Sequence, residues 1–400
     1  MKILFLTMFR IVEISDRNLY TDLLREFIRL GHEVYVATPS ERRYKDKHLI
    51  TEGDGYKILH VKTLNLQKTN LIEKGLGILL LEYQYKRAIS KQWRDTEFDL
   101  ILYSTPPITL NKVIEWQKKK GAITYLMLKD IFPQNAVDLG IIKKHSFLWK
   151  EFARKEQHLY ELSDYIGCMS PANCQYLISN YSFLSEDKIE VCPNCIEPNL
   201  KPGDRMVKTK SAALFENNYP ICLYGGNIGK PQGIDFIINV LDNIIGEKVN
   251  FCIVGSGTES HKLNKWITEH PDVKNVIISE SLPKKDYDLL VSKADIGLIF
   301  LDNRFTIPNF PSRLLSYLES KIPVLIATDK HCDMGQIAEE NSFGYWCESG
   351  DIQGFMNNLK RLISDPELRH EMGENGYRYL LDNYTVDRAA KIVLSHFNKF

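Results

Sequence analysis

The 400-residue sequence has no long hydrophobic run and no net charge, and each absence excludes a class of protein. Its longest apolar stretch, residues 76–81, is far shorter than the roughly 20 residues that a membrane-spanning helix requires. The 51 basic residues are balanced by 51 acidic ones, with a slight basic excess in residues 1–200, so a dedicated nucleic-acid-binding protein is not expected. The composition is that of an ordinary globular protein, and 400 residues are enough for two or three domains.

The amino terminus also lacks the small-residue cleavage site of a signal peptide, so residues 2–7 are predicted to form a first strand of a cytoplasmic protein. The eight cysteines show no zinc-ribbon or zinc-finger spacing, and reduced thiols are expected. Cys192-Pro-Asn-Cys195 is a C-x-x-C pair, but it follows a strand and enters a loop, whereas a redox pair starts a helix. A structural role is predicted for this pair.

Short β-branched segments alternate with helical periods along the chain, which predicts parallel sheets covered by helices on both faces. The pattern restarts after a polar, proline-containing segment. We therefore predict an α/β fold with two doubly wound, Rossmann-like domains facing a cleft, because ligands of such folds bind at the carboxyl ends of the strands. The predicted boundaries are 1–195 for the first domain, 196–219 for the linker, 220–380 for the second domain and 381–400 for a C-terminal helix that packs back on the first domain.

The strongest candidate site is the segment 307–319, where Ser312 is predicted to cap a helix whose first amides face an anion. Arg313 adds a fork of donors suited to a diphosphate, and Ser316 lies on the same helix face as Ser312. The alternative is a capped surface helix with a solvated arginine. The candidate ligand-binding residues of this segment are Asn309, Ser312, Arg313, Leu314 and Ser316.

Glycines follow two strands of the second domain, in Gly225-Gly-Asn-Ile-Gly-Lys230 and in Val254-Gly-Ser-Gly257. Glycine lets backbone amides approach an anion closely, and Lys230 adds positive charge. The segments match neither a P-loop nor a dinucleotide fingerprint, and ordinary glycine-rich βα turns are the alternative. The further ligand-binding candidates are Gly226, Asn227, Gly229, Lys230 and Gly255.

In the first domain, Lys129 and Asp130 follow a predicted strand at its carboxyl end. Asp130 is a candidate catalytic group that orients a hydroxyl or another reacting group of the substrate, and Lys129 is a candidate to stabilise leaving-group charge. The alternative is that Asp130 caps the next segment. Asp286-Tyr-Asp288 has metal-binding D-x-D spacing but lies at a predicted helix start, where acidic residues suit the helix dipole, so no metal site is predicted.

The segment 141–155 interleaves basic residues with Phe147, Trp149 and Phe152. This composition suits the surface of a membrane. The alternative is an amphipathic helix that packs on the core while its lysine side chains reach out to water.

Taken in order over nearly the whole chain, these segments resemble the family 4 retaining glycosyltransferases, which have the GT-B fold. The resemblance is stronger to the bacterial enzymes that build O-antigen and capsule chains, N-acetylfucosamine transferases among them. The motifs that carry it are Gly31-His-Glu-Val34, Lys129-Asp-Ile-Phe-Pro133, Ile189-Glu-Val-Cys-Pro-Asn194, Gly225-Gly-Asn-Ile-Gly-Lys230, Val254-Gly-Ser-Gly257 and Pro311-Ser-Arg-Leu314.

The resemblance implies transfer from a nucleotide-diphosphate sugar, with a UDP-linked, N-acetylated amino sugar as the expected donor. It implies retention at the anomeric carbon, no metal and no cofactor. The expected acceptor is a polyprenyl-diphosphate-linked glycan, which would bring the enzyme to the inner face of the cytoplasmic membrane.

Two departures from the family pattern affect the predicted site. Pro308 and Ser316 stand where the family's E-x7-E motif has its two carboxylates. Asn227 and Gln232 stand where the family has the two cations that clamp the diphosphate. Lys230 and Arg313 are the candidates to supply the missing charge. The departures leave open a catalytically silent nucleotide-sugar-binding partner subunit, or a nucleotide-sugar 2-epimerase of the same fold.

Overall fold

The computed structural model describes residues 1–44, 49–66, 71–198 and 215–397, and only the backbone of residues 71, 72, 74 and 75. The chain forms two compact units, one made of Met1–Glu197 with Val386–Phe400 and the other of Pro198–Thr385. Residues 199–214, most of the predicted linker, lie outside the described residues. Within the described ranges, no helix combines the length and the apolar character needed to cross a bilayer.

The first unit is an eight-stranded sheet with helices packed on it. Its strands are β1 (Lys2–Leu6), β2 (Glu33–Glu41), β3 (Ile50–Gly53), β4 (Tyr56–Thr63), β5 (Leu100–Ser104), β6 (Ile123–Leu128), β7 (Tyr165–Cys168) and β8 (Ile189–Val191). Its helices are α1 (Leu19–Arg29), α2 (Leu71–Gln92), α3 (Asn111–Lys118), α4 (Gln134–Asp138), α5 (Phe147–Leu162), α6 (Pro171–Asn180) and α14 (Val386–Ser395).

The strands of the first unit lie in the order β3-β4-β2-β1-β5-β6-β7-β8, and the β3–β4 pair is antiparallel while the other pairs are parallel. This order reverses next to β1, which creates the switch point at which doubly wound sheets bind ligands. The core beneath the sheet joins Leu24 and Phe27 of α1 to Ala390 and Val393 of α14. The carboxyl-terminal helix is therefore part of the first unit.

The second unit is a six-stranded, entirely parallel sheet in the order β11-β10-β9-β12-β13-β14. Its strands are β9 (Ile221–Asn227), β10 (Asn250–Ser256), β11 (Val276–Ser279), β12 (Ile296–Phe300), β13 (Val324–Thr328) and β14 (Gly344–Glu348). Its helices are α7 (Ile234–Asn243), α8 (Ser260–Glu269), α9 (Lys284–Val291), α10 (Arg313–Glu319), α11 (Met334–Glu340), α12 (Ile352–Ser364) and α13 (Pro366–Asn383).

The predicted class, two Rossmann-like α/β domains with parallel sheets, is confirmed. The structure adds elements that the strand–helix alternation did not indicate, chiefly the β3–β4 hairpin and the edge strand β14. In both units the first strand lies beside the switch point, so the loops that follow β1 and β9 are placed to meet ligands. The loop after β6 lies at the same edge of the first sheet, because β6 runs parallel to its neighbours β5 and β7.

Candidate functional site

Arg313 begins α10, and its guanidinium lies over the ring of Tyr224 in β9. The guanidinium carbon is 4.3 Å from the ring centroid, a distance at which cation–π attraction stabilises the arginine. A Cβ atom on Gly226 would lie 3.2 Å from Nη2 of Arg313. The structure therefore brings two predicted donor-site residues, Gly226 and Arg313, together at the carboxyl end of β9.

The positive charge of Arg313 has no acidic partner within ion-pair distance in the described part of the chain. Its Nη1 atom is buried and makes no hydrogen bond there. Burial lowers the pKa of Arg313, but Tyr224, Tyr317 and Tyr287 offset this effect and hold the pKa above its ordinary value. A charged guanidinium with an unsatisfied buried donor is suited to bind an anion such as a phosphate.

Asn227 and Gln232, which occupy the positions of the basic pair in the resemblance, hydrogen-bond to each other. Nδ2 of Asn227 donates to Oε1 of Gln232 at 2.9 Å, and the amide of Gly229 donates to the same oxygen at 3.2 Å. The hydroxyl of Tyr224 donates to the Asn227 carbonyl at 2.6 Å. Neutral hydrogen bonds thus fix the loop after β9, while Arg313 supplies positive charge beside it.

Two of the predicted glycines have a backbone reason to be glycine. Gly226 has a φ of +137°, which residues with a side chain rarely adopt. A Cβ atom on Gly255 would collide with the carbonyl oxygen of Gly226 on the neighbouring strand. Gly255 therefore serves the close approach of β9 and β10.

The start of α10 differs from the prediction. Ser312 has a helical backbone, with φ −66° and ψ −15°, and its side chain makes no capping hydrogen bond. The predicted Ser312 cap was wrong, because a capping side chain reaches the helix amides from an extended backbone. The side chain of Arg313 is thus the feature of this segment that is suited to meet an anion.

The other candidates of this segment, Leu314, Ser316 and Asn309, differ in burial and in their hydrogen bonds. The amide of Leu314 donates to the Pro311 carbonyl at 3.3 Å, and the Leu314 side chain is fully buried, so the structure gives Leu314 a packing role instead of an exposed contact surface. Ser316 is half-buried on α10. The carbonyl of Asn309 accepts a hydrogen bond from the Cys332 thiol at 2.9 Å.

Lys230 is exposed and lines a cavity of about 520 Å³ in the second unit. Asp302, Arg304 and Lys262 line the same cavity. Arg304 is held by Asp302, with Nε–Oδ1 and Nη2–Oδ2 distances of 2.7 and 2.8 Å. The described contacts do not link Lys230 to Arg313, so the two predicted cations occupy different surroundings.

Lys129 and Asp130 directly follow β6 in the first unit, as predicted. Nζ of Lys129 donates to Oδ1 of Asn194 at 2.6 Å and lies 4.4 Å from the centroid of the Tyr20 ring. The backbone amides of Lys129 and Asp130 both donate to Oγ1 of Thr105, at 3.0 and 3.1 Å. This buried threonine fixes the turn that presents both side chains.

The carboxylate of Asp130 makes no hydrogen bond within the described residues. It does not cap the next helix, because the residue before α4 is Pro133. Burial raises the pKa of Asp130 to about 6, against the opposing effect of Lys129. A carboxyl group that changes charge near neutral pH is suited to proton transfer or to orienting a hydroxyl.

The C-x-x-C pair and the D-x-D pattern both make contacts within the protein. Cys192 and Cys195 are buried and form no disulfide, and burial raises the pKa of Cys192 to about 11. Asp288 of the D-x-D pattern accepts from Nζ of Lys284 at 2.6 Å. Within the described ranges, no group of three or more His, Cys, Asp or Glu side chains could hold a metal ion.

Sequence reasoning missed the aromatic residues around Arg313 and the polar residues around Lys129. Tyr287 packs against Gly225, and Tyr317 donates to the Leu223 carbonyl at 2.9 Å. These tyrosines lie far apart in sequence and share no spacing. The position of Tyr224 directly before the glycine pair was the one available signal.

Comparisons with known proteins match both units to glycosyltransferase families. Residues 18–200 match the family described as Glycosyltransferase Family 4, and residues 207–379 match Glycosyl transferases group 1. The chain is 22% identical over 307 residues to WbjE of Pseudomonas aeruginosa, described as a probable glycosyltransferase, covering 74% of this chain and 73% of WbjE. It is 28% identical over 126 residues to WcaI of Escherichia coli K12, whose name assigns it to colanic acid biosynthesis, covering 31% of this chain and 30% of WcaI.

Solved structures share the fold at low sequence identity. The sucrose-phosphate synthase of Thermosynechococcus elongatus superposes with a TM-score of 0.76 at 13% identity, covering 100% of this chain and 98% of that one. The Anabaena protein HepE in complex with UDP superposes with a TM-score of 0.68 at 14% identity over 100% of both chains. With a family match in each unit, this chain belongs to the family 4, group 1 glycosyltransferases, which have the GT-B fold.

Proposed function

We propose that this glycosyltransferase moves a sugar, with retention of the anomeric configuration, from a UDP-linked donor to a lipid-linked glycan in bacterial surface polysaccharide synthesis. An N-acetylated amino sugar is the donor that we expect. The acceptor's lipid would lie in the inner face of the cytoplasmic membrane, so the enzyme would act there as a peripheral protein. The observation that carries the proposal is Arg313, whose buried Nη1 has no hydrogen-bond partner in the described chain.

The chemistry of the second unit supports a diphosphate as the ligand of Arg313. The guanidinium can donate two parallel hydrogen bonds to a phosphate, and its placement over Tyr224 holds it ready for that contact. Two relatives support the rest of the proposal. HepE was solved with UDP, and the name of WcaI refers to colanic acid biosynthesis.

The mechanism assigns different tasks to the two units. Arg313 stabilises the negative charge of the departing UDP, so that no metal is required for this task. The acceptor hydroxyl attacks from the face on which UDP leaves, and the leaving phosphate takes its proton. Asp130 and Lys129 of the first unit orient the reacting groups.

Calorimetric titration with UDP, GDP and dTDP tests the binding part of the proposal. We expect UDP to bind most tightly and Arg313→Ala to weaken UDP binding about tenfold to a hundredfold, since a hydrogen bond to a charged group is worth about 1.5–3 kcal/mol. Arg361→Ala is the matched control, because Arg361 lies 4.1 Å from the Tyr345 ring centroid on an exposed helix face of the same unit. If Arg313→Ala bound UDP as tightly as the wild type, the assignment of Arg313 to the UDP-binding site would be wrong.

The neutral Asn227–Gln232 pair gives the silent nucleotide-sugar-binding subunit its support, because the family's basic clamp is absent. Turnover separates the two functions. An enzyme releases UDP from UDP-sugars, slowly to water and faster when an acceptor is present, whereas a silent subunit binds the donor and releases no UDP.

A further inference from the structure

The helix α2 has two apolar faces, although a surface helix needs only one. Leu81, Tyr85 and Ile89 form the inner face and are fully buried. The outer face carries Leu76, Leu79, Leu80 and Tyr83, which are 51%, 71%, 44% and 63% exposed. The outer positions recur at helical spacing, so they form one continuous stripe, and scattered surface leucines would not show this order.

A second exposed apolar group lies at the start of α5. Phe147 is 84% exposed, Leu148 is 51% exposed and Ile141, just before the helix, is 60% exposed. In contrast, Trp149 and Phe152 are half-buried, and the Phe152 ring packs 4.9 Å from that of Phe132. The segment thus uses some aromatic residues for packing and leaves others at the surface.

The helix α3 joins these two groups into one layer of helices. The Lys112 amide of α3 donates to Oε1 of Glu82 in α2 at 2.6 Å. Nδ2 of Asn111, also in α3, donates to the Lys155 carbonyl of α5 at 2.9 Å. We refer to the exposed outer side of α2 and the start of α5 as the apolar surface; it consists of Leu76, Leu79, Leu80, Tyr83, Ile141, Phe147 and Leu148.

The charge around the apolar surface is positive. The helix α2 contains four basic and two acidic residues, and residues 141–155 contain five basic and one acidic residue. The acidic residue of the second segment, Glu151, is paired with Arg154 at 2.7 Å, and Glu82 of α2 is held by Lys112. Basic residues that remain exposed beside the apolar side chains are Lys86, Arg87, Lys143, Lys144 and Lys150.

We propose that the apolar surface docks the enzyme on a bilayer of anionic phospholipid, with α2 and the start of α5 at the level of the headgroups. Apolar side chains that enter the interface stabilise binding by about 25 cal/mol per Å² removed from water, and each nearby Lys or Arg adds about 1 kcal/mol with anionic lipid. A second copy of this chain is disfavoured as the occupant, because two positive surfaces would face each other. This docking rests on the proposed function, because a lipid-linked acceptor would lie in the bilayer to which the enzyme binds.

Flotation of the full-length chain with vesicles tests the proposal. We expect binding to vesicles of mixed phosphatidylcholine and phosphatidylglycerol, weaker binding to phosphatidylcholine alone, and loss of binding as salt is raised. Leu79→Glu and Phe147→Glu should each weaken binding about tenfold or more, because each removes an exposed apolar group that the bilayer would bury and adds a charge that anionic lipid repels. The control is Leu30→Glu, which changes a 43% exposed leucine at the end of α1, outside the apolar surface.

Two further measurements make every outcome decisive. UDP binding in solution should be unchanged in Leu79→Glu and Phe147→Glu, so loss of docking is distinguished from failure of the donor site. Wild-type chain that ignores anionic vesicles, or variants that bind them as the wild type does, would overturn the proposal. So would a wild-type dimer in light scattering that Leu79→Glu converts to monomer, because the surface would then bind a second copy.

Discussion

At the scale of single residues, Asp130 links the structure to a measurable pH dependence. Burial raises its pKa to about 6, so the ionised form increases as pH rises through that value. If the ionised carboxylate orients the acceptor hydroxyl, kcat/KM should rise tenfold per pH unit below about pH 6 and level off above it. Rate measurements from pH 4.5 to 8 check this expectation.

Variants of Asp130 identify the titrating group. Asp130→Asn should lower kcat/KM by about a hundredfold or more and abolish the inflection near pH 6. Asp95→Asn, at an exposed position of the same unit, should leave the profile as it is. An Asp130→Asn enzyme of normal rate would contradict the catalytic role.

Glu156 predicts a pH dependence of stability. Burial raises its pKa to about 7, while hydrogen bonds from Tyr160 and Tyr181 oppose the shift. The folded state therefore holds the proton more tightly than the unfolded state, whose Glu156 pKa is near 4.5. The stabilisation is complete below pH 4.5 and is lost as pH rises to about 7.

Replacing Glu156 by Gln removes this titration. At pH 8 the free energy of unfolding of Glu156→Gln should exceed that of the wild type by about 3 kcal/mol, and at pH 4.5 the two should be nearly equal. Urea unfolding at both pH values measures the difference, with the exposed Glu161→Gln of the same helix as the control. A variant that is less stable than the wild type at pH 8 would show that Glu156 is needed in its charged form.

The sequence predicted which residues follow the strands but not what surrounds them. Lys129, Asp130, Gly226 and Arg313 could be placed because a strand–loop–helix pattern is local. The Tyr224–Arg313 contact could not be predicted, since it joins distant segments and no spacing marks it. The Ser312 cap failed for a related reason: the backbone conformation of a capping residue is set by the preceding loop, which the residue type alone does not reveal.

At the scale of elements, the loop after β9 depends on a single acceptor. Oε1 of Gln232 receives both the Asn227 side chain and the Gly229 amide. Gln232→Leu would leave two donors without their partner and loosen the loop beside Arg313. UDP affinity should fall about threefold to tenfold, while Gln353→Leu on the exposed side of α12 should leave it unchanged. An unaffected affinity in Gln232→Leu would show that the loop does not position the site.

The element that sequence analysis missed, the β3–β4 hairpin, had a recognisable signal. Its turn is Asp54-Gly55, with Gly55 at φ +74°, and Asp-Gly between two short apolar runs is a typical hairpin sequence. The alternation of strands and helices does not indicate this hairpin, because its two strands follow each other with no helix between them. The parallel strands β1, β2, β5, β6, β9, β10, β12 and β13 fit that alternation.

At the scale of the whole molecule, the fold class was predictable because the alternation of strands and helices is repeated across the entire chain and survives errors at individual boundaries. The function needed the family matches of both units. The donor and acceptor are not encoded in the fold, since this sheet order supports many chemistries. In the proposed function they depend on a few side chains around Arg313 and Asp130.

The most direct measurement of the central claim is the release of UDP from a panel of UDP-sugars, incubated with membranes that carry lipid-linked glycans. We predict that the wild-type chain releases UDP from an N-acetylated donor, and that Arg313→Ala lowers the rate about a hundredfold while Arg361→Ala does not. Tight UDP binding without turnover of any donor, or equal turnover in Arg313→Ala, would contradict the account.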